Sequence, residues 1–242
     1  MKTYLKLFLL LVVVTGLKKI FGLPHPWYGI DDANIYFVYV RNFVNGLGFV
    51  YSPGGERVEG FTSLFWVLLL SLLYLFKAVP FEYAVLVLCF ILTFFTIKTI
   101  FKYVQSEWNN SQLSYLAVAA VLLTPGFIEW SVFGLMDTSL WIFATTYCTV
   151  TIIKKNKEPK DNYYIAILCF LLPLIRPEGL MFTFIVAVLW YVVNTGTGSL
   201  LKGKTRYLRP LLAGALAENG RAIVIGTRTF GKGVVQAVRT LP

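Results

Sequence analysis

Charge is what this sequence has least of. Of its 242 residues, 14% are Asp, Glu, Lys or Arg, against about 25% in an ordinary soluble domain. That shortfall excludes a disordered protein, an acidic solvating tail and a single-core globular enzyme. Histidine is almost missing too: His25 stands alone, which excludes a His-rich zinc site. Cys89, Cys148 and Cys169 lie singly in apolar runs without CxxC spacing, and read as small buried apolar side chains. No internal repeat occurs at a solenoid period. What is present is apolar: 57% hydrophobic residues and 17% aromatic. The remaining charge is lopsided, with 22 Lys and Arg against 12 Asp and Glu, net +10. A nucleic-acid binder spreads its cations over a water-facing surface. Most of this chain has too little polar sequence to build one, so no nucleic-acid partner is expected. The composition points to a lipid bilayer.

The positions of the charges outline the architecture. Phe61 to Val79 carries only Lys77, and Tyr83 to Ile97 is uncharged. So are Trp108 to Ile128, Thr138 to Ile153, Asn162 to Ile175 and Gly179 to Leu201. A helix crossing the hydrocarbon core needs about 20 apolar residues; shorter runs can cross where flanking lysines snorkel or the bilayer thins. Leu5 to Leu17, behind Lys2 and Lys6, adds a first apolar stretch. A cleaved signal peptide is its rival reading, but Lys18 and Lys19 follow directly and no small-x-small site precedes Gly22. The expectation is an all-α polytopic membrane protein of six or seven spans. Its membrane domain is placed at residues 1–200, and a short soluble α/β piece at residues 201–242.

Residues 24–60 are polar enough to be a loop, and so long a connection is suspect as functional. Within it, Ile35, Tyr39 and Phe43 recur every fourth residue, which predicts an amphipathic surface helix from Asp32 to about Val44. Asp31 or Asp32 begins it, where a carboxylate caps free backbone N–H groups. Two aspartates exceed what one cap needs. A membrane transferase using a lipid phosphate has a good leaving group already; it needs a base for the acceptor hydroxyl and cations for the departing phosphate. An aspartate at the membrane rim with arginines nearby supplies both. Arg41, toward the other end of the helix, is either such a cation or a headgroup anchor.

Four motifs in order then carry a resemblance: Asp31-Asp32-Ala with Arg41-Asn42 and Gly46-x-Gly48; Glu56-Arg57-Val-Glu59-Gly60-Phe-Thr62; Gly134-Leu-Met-Asp137-Thr138; and Arg176-Pro-Glu178-Gly179. Together they resemble the GT-C fold glycosyltransferases, nearest the bacterial branch of terminal arabinofuranosyltransferases and mannosyltransferase-like proteins. The third departs from the family's Gly-Met-Glu-Thr, with Asp137 for Glu and Leu135 intruding. The resemblance implies a multi-pass protein of the bacterial inner membrane with residues 24–60 outside. It implies an inverting transfer from a polyprenyl-phosphate sugar to a glycan or lipid acceptor of the cell envelope. Asp31 or Asp32 would be the base, with Arg41, Glu59, Asp137, Arg176 and Glu178 supporting donor and phosphate. Ionisable residues beside spans are functional candidates on physical grounds too. Arg176 and Glu178 have a second reading as a helix end, because Pro177 disfavours helix before it. Asp31, Asp32 and Glu59 could hold a divalent ion, but no ligand spacing supports it and no cofactor is expected.

One feature opposes simple insertion. With Asp31 outside, counting spans puts Lys154, Lys155, Lys157 and Lys160 outside as well, against the positive-inside tendency. Either one apolar run is re-entrant, or the chain is not inserted as that family is.

The tail changes character. Gly226 to Gly233 nearly matches the phosphate-binding GxxxxGK[ST] pattern, but Gly233 replaces the hydroxyl residue and a β-like run follows. Ala213 to Ala222, then Gly226-Thr-Arg-Thr-Phe-Gly-Lys232-Gly-Val-Val-Gln236, resembles instead the C-terminal processing (tail-specific) serine peptidases. There the lysine is the general base of a Ser-Lys dyad, which falls on Lys232. The expected serine neighbourhood reads Thr205-Arg-Tyr207-Leu-Arg-Pro210 and holds no serine, so the lysine lacks an alcohol to deprotonate. A piece this short cannot bury a protease core. A join near residues 196–208 is expected, from an incomplete or fused reading frame. A peptidase fragment without its nucleophile and a non-enzymatic membrane remnant are therefore the alternatives to the transferase.

Overall fold

The computed structural model describes residues 2–22, 31–55, 60–76, 79–154 and 159–194. Expectations for Glu59, for Lys232 and for the rest of residues 201–242 fall outside them. The order is α1 (Lys2–Gly22), α2 (Asp31–Val44), α3 (Leu64–Leu75), α4 (Phe81–Trp108), α5 (Ser111–Leu123), a π turn (Glu129–Phe133), α6 (Thr138–Ile153), α7 (Pro159–Ile175) and α8 (Gly179–Asn194). No strand occurs among the described residues. The chain divides into two units, Met1–Ala187 and Val188–Pro242; of the second, the described part is the end of α8.

Within the first unit α4 is the axis. At 28 residues it is about 42 Å long. Among the described residues it alone is long and apolar enough to cross a membrane; α3, α5 and α6 are apolar but shorter. Three contacts show how the chain after it runs. Ser114 Oγ lies 3.3 Å from Gln105 Oε1, Thr93 Oγ1 donates to Ser131 O at 3.1 Å, and Ser139 Oγ meets Cys89 Sγ at 3.4 Å. The stretch from α5 through the π turn therefore runs back alongside α4 as one antiparallel segment, broken near Pro125 and Gly126. Proline removes an N–H, and Gly126 takes φ +78°, so α5 stops short of a full span.

α6 then runs parallel to α4, with Phe143 against Phe95 at 6.2 Å. α7 returns antiparallel to α6, from Lys154–Asp161 at one end to Asp137–Arg176 at the other. α1 is antiparallel to α4: Phe8 packs edge-on against Phe90 and Phe94, and Tyr4 lies under Lys98 and Lys102. Two apolar cores result. One gathers α2, α3, the start of α4, the start of α6 and the end of α7 around Trp66, Leu70, Leu135 and Leu172. The other joins α1 to α4, α5 and the π turn through Leu7, Leu11, Ile97 and Leu122.

The run from Phe61 to Val79 behaves differently from the others. It yields only the 12 residues of α3, about 18 Å of helix. Ser63 caps its start by accepting from Trp66 N–H at 3.3 Å. Both flanks of α3 touch α2: Phe61 and Thr62 meet Tyr36, while Phe81 meets Phe37 at 5.0 Å. So α3 begins and ends at the α2 end of the unit, and α4 starts from that same end. The break between α3 and α4 includes Pro80, at the head of α4.

Hydroxyls within these apolar helices are satisfied locally. Ser71, Thr93, Thr96, Thr145 and Thr151 each donate to the carbonyl four residues back, so a polar side chain needs no water.

Leu135 is buried at φ +54°, a left-handed conformation that costs a β-carbon residue about 1–2 kcal/mol. A glycine would take this conformation without that strain. Leu135→Gly should nonetheless destabilise the protein by about 1–3 kcal/mol, because deleting a buried leucine costs about 3–5 kcal/mol and outweighs the relief. The melting temperature of the purified variant checks this; a rise would show that strain dominates.

Candidate functional site

The α2 end gathers several of the residues singled out by sequence. α2 starts at Asp31, one residue earlier than expected, and ends at Val44. Its buried face is Ala33, Tyr36, Tyr39 and Val40, while Asp32 and Arg41 are exposed. The amphipathic pattern thus places the aspartate and the arginine away from the apolar core. Asn42, next to Arg41, turns inward and donates from Nδ2 to Val50 O at 2.8 Å and Tyr51 O at 3.0 Å. It thereby holds a loop whose Gly46 and Gly48 take φ +80° and +79°. The spacing of Arg41-Asn42, Gly46 and Gly48 is that of an anchored turn. The sequence reading grouped Asn42 with Arg41 without seeing that anchor.

Gly60 is also explained by contact. A β-carbon there would collide with the Tyr39 ring, so the glycine lets residues 60–62 cross directly over α2. Just beyond it, the Tyr36 hydroxyl is 3.4 Å from Thr62 Oγ1. Burial pushes the Tyr36 phenol above its ordinary pKa, against the Thr62 hydrogen bond, and the negative charge of Asp137 adds to the rise. Tyr36 is therefore a neutral hydroxyl beside an anionic group.

Asp137 and Arg176 meet beneath α2. Asp137 stands immediately before α6 and is 1% exposed; Arg176 immediately follows α7. Arg176 Nε donates to Oδ2 and Nη2 to Oδ1, both at 3.0 Å, and Nη2 reaches Thr138 Oγ1 at 3.3 Å. The planar fork of the guanidinium matches the carboxylate plane, which a lysine could not do. Burial alone would lower the Arg176 pKa, but the Asp137 hydrogen bonds and charge outweigh it, so the guanidinium is held more firmly protonated. The side chain is 30% exposed, leaving one edge of the cation open to the surface.

The turn after α7 bears out the helix-end reading of Arg-Pro-Glu-Gly. The helix ends at Ile175, and Gly179 N–H donates to Arg176 O at 2.8 Å. A β-carbon on Gly179 would strike the Leu172 carbonyl and come within 2.7 Å of Pro173 N. A residue of any other type cannot make this tight return, which aims Arg176 at Asp137. Glu178 is exposed on the same turn. The ion pair and the helix end are one device.

Of the candidate residues, the structure brings Asp137 and Arg176 together, with Tyr36 beside Asp137, and sets Asp32 and Arg41 on the exposed face of α2. Asp31 is the first residue of α2; Glu59 and Lys232 lie outside the described residues. Sequence reasoning missed Tyr36, Asn42 and Gly179. The signal for Asn42 and Gly179 was their place in the motifs, whereas an apolar-face tyrosine gave no signal. Among the described residues no group of three or more His, Cys, Asp or Glu side chains is placed to hold a metal.

Comparison with known proteins bears on the other end of the chain. Residues 210–242 match Peptidase family S41. The Carboxyl-terminal-processing protease of Picosynechococcus sp. is 56% identical over 32 residues, which are 13% of this chain and 8% of that protein. Carboxyl-terminal-processing peptidase 3, chloroplastic, of Arabidopsis thaliana is 61% identical over 31 residues, 13% of this chain and 6% of that protein. The chain therefore spans under a tenth of the length of these curated relatives. No solved structure matches it.

Two variants probe the pair. Asp137→Ala leaves a partly buried guanidinium without its counter-charge and should lower stability by about 1–3 kcal/mol, the partial exposure of Arg176 keeping it below a fully buried pair. Gly179→Ala should cost at least as much by forcing the turn open. Melting curves compare both with wild type; an unchanged Asp137→Ala would mean that Arg176 finds equal solvation elsewhere.

Proposed function

We propose that the helical part of the chain is a membrane-embedded glycosyltransferase of the bacterial inner membrane. It moves a sugar from a polyprenyl phosphate to a hydroxyl of a cell-envelope glycan or lipid. The observation that carries this reading is the Asp137–Arg176 pair. Two motifs 39 residues apart, singled out from sequence for one chemistry, close on each other under the helix that begins with Asp31 and Asp32.

The path of α3 supports the membrane part. With α3 starting and ending at one side, α1, α4, the α5 segment, α6 and α7 become the crossings in turn. Lys98, Lys102, Lys154 and Lys160 then share the side opposite α2, along with Tyr4 at the start of α1. The lysines lie inside when Asp31 lies outside, as the positive-inside tendency prefers. Large apolar side chains on the flanks, among them Leu5, Phe8, Leu72, Leu116 and Phe170, are exposed. So many would be unusual against water, and they suit lipid.

The chemistry follows from charge. The acceptor oxygen attacks the anomeric carbon as its bond to the phosphate oxygen breaks, inverting the centre. The acceptor proton passes to Asp31 or Asp32, and the polyprenyl phosphate leaves with the electron pair, its charge met by Arg176 and Arg41. Asp137 has both oxygens engaged by Arg176 and acts by orienting that cation. Glu178 and Glu59 are left to the sugar. The double variant Asp31→Asn, Asp32→Asn should lose transfer at least about 100-fold in membranes supplied with a polyprenyl-phosphate sugar, while still inserting. Near wild-type transfer would remove this assignment. Cysteine labelling from each side of intact cells, at positions 32 and 160, checks the sidedness separately.

A second reading is favoured by the match of residues 210–242 to Peptidase family S41: a serine-type, C-terminal processing peptidase fragment. Lys232 would be its base, but no serine occupies residues 205–210. Incubated with an unstructured peptide, the chain should give no cleavage above buffer. Cleavage abolished by Lys232→Ala would establish the peptidase instead.

A further inference from the structure

The end of the first unit away from α2 contains a cavity of about 610 Å³ between α4, α6 and the start of α7. Its charged lining is Lys98, Lys102, Lys154 and Lys160 against Glu107 and Asp161, so four cations face two carboxylates and the net charge is +2. Nothing in the proposed transfer uses it, since the Asp137–Arg176 pair is at the opposite ends of α6 and α7.

Three features make this more than a basic surface. The lysines are held in place: Lys98 Nζ sits 5.0 Å from the centre of the Tyr4 ring and 5.2 Å from that of Phe95, and Lys102 Nζ sits 5.7 Å from Tyr4. Such cation–π contacts restrict flexible side chains that otherwise lose entropy on binding. Lys154 is tied to Asp161 at 2.7 Å, and the other charges on the lining are Lys98 and Lys102 with Glu107 on α4 and Lys160 on α7. The walls are also polar and ringed: Tyr147 and Tyr164 meet edge to face at 6.2 Å and both line the space. A concave, low-dielectric recess concentrates the field of its cations more than a convex surface does.

We propose that this cavity binds a phosphate-bearing anion. Its volume is within the range of small-molecule sites and exceeds what a bare phosphate fills. The ligand is therefore a phosphate carrying an organic group, either the headgroup of an anionic lipid or a small water-soluble phosphate ester. Basic recesses between membrane helices suit such headgroups. The lipid source rests on the membrane reading above; the soluble source does not.

The test uses the full chain purified in neutral detergent, with phosphatidylglycerol and glycerol 3-phosphate as separate probes. Native mass spectrometry reads the lipid and titration calorimetry the soluble ester. Removing two lysines with Lys98→Gln and Lys102→Gln should weaken binding about 30-fold, and Lys98→Gln alone about fivefold. The single variant decides the matter if circular dichroism shows that the double one has lost helix. Lys6→Gln, exposed on α1 at the same end but outside the cavity, should leave binding nearly unchanged. Lysine-dependent binding of phosphatidylglycerol alone identifies the lipid; lysine-dependent binding of the ester identifies the soluble source. The proposal is overturned if neither probe binds, or if Lys6→Gln weakens binding as much as Lys98→Gln does. Insertion into membranes is measured independently by the labelling at positions 32 and 160, so a failure of that reading is distinct from an empty cavity.

Discussion

A buried carboxylate needs a counter-charge, and much of the α2 end depends on that requirement. Asp137 is almost wholly removed from solvent between two apolar helices. A buried charge without a partner is costly, and the Arg176 fork engages both oxygens. The pair sets the relative position of α6 and α7 at one end, as Lys154–Asp161 does at the other. It also sets the demands on nearby backbone. Gly179 must be glycine for Arg176 to point inward, and Leu135 accepts a left-handed φ so that the chain can deliver Asp137 to the head of α6.

The rest of the first unit avoids such demands. Its polar side chains inside apolar helices are mostly hydroxyls that bond within their own helix, and its three cysteines are free thiols. Charge gathers in three places: the Asp137–Arg176 pair with α2, the Lys18–Glu129 pair joining α1 to the π turn, and a recess of lysines at the end away from α2. The match to Peptidase family S41 covers residues 210–242, outside the described helices.

Composition and charge spacing made the helical character and the amphipathic α2 legible in advance, while Asp137 and Arg176 were singled out by the motifs of the resemblance. The α2 boundaries were correct to a residue because Ile35, Tyr39 and Phe43 repeat at helical spacing. The run from Phe61 to Val79 was not legible in the same way. It is apolar almost throughout, and no local signal says that only 12 of its residues form helix or that both flanks return to α2. That is decided by contacts of Phe61, Thr62 and Phe81 with α2, between residues far apart in the chain.

The same division holds for the candidate site. Sequence by itself determined which residue types are scarce, where charge sits in an apolar chain and which short motifs recur. All of these depend on neighbours within a few residues. Only the tertiary structure decided that Asp137 and Arg176 share two hydrogen bonds, that Tyr36 lies beside them, and that Lys98, Lys102, Lys154 and Lys160 surround one cavity. Each of those is a contact across helices, selected by the need to compensate charge removed from water and to fit backbone closely, which no single segment experiences alone.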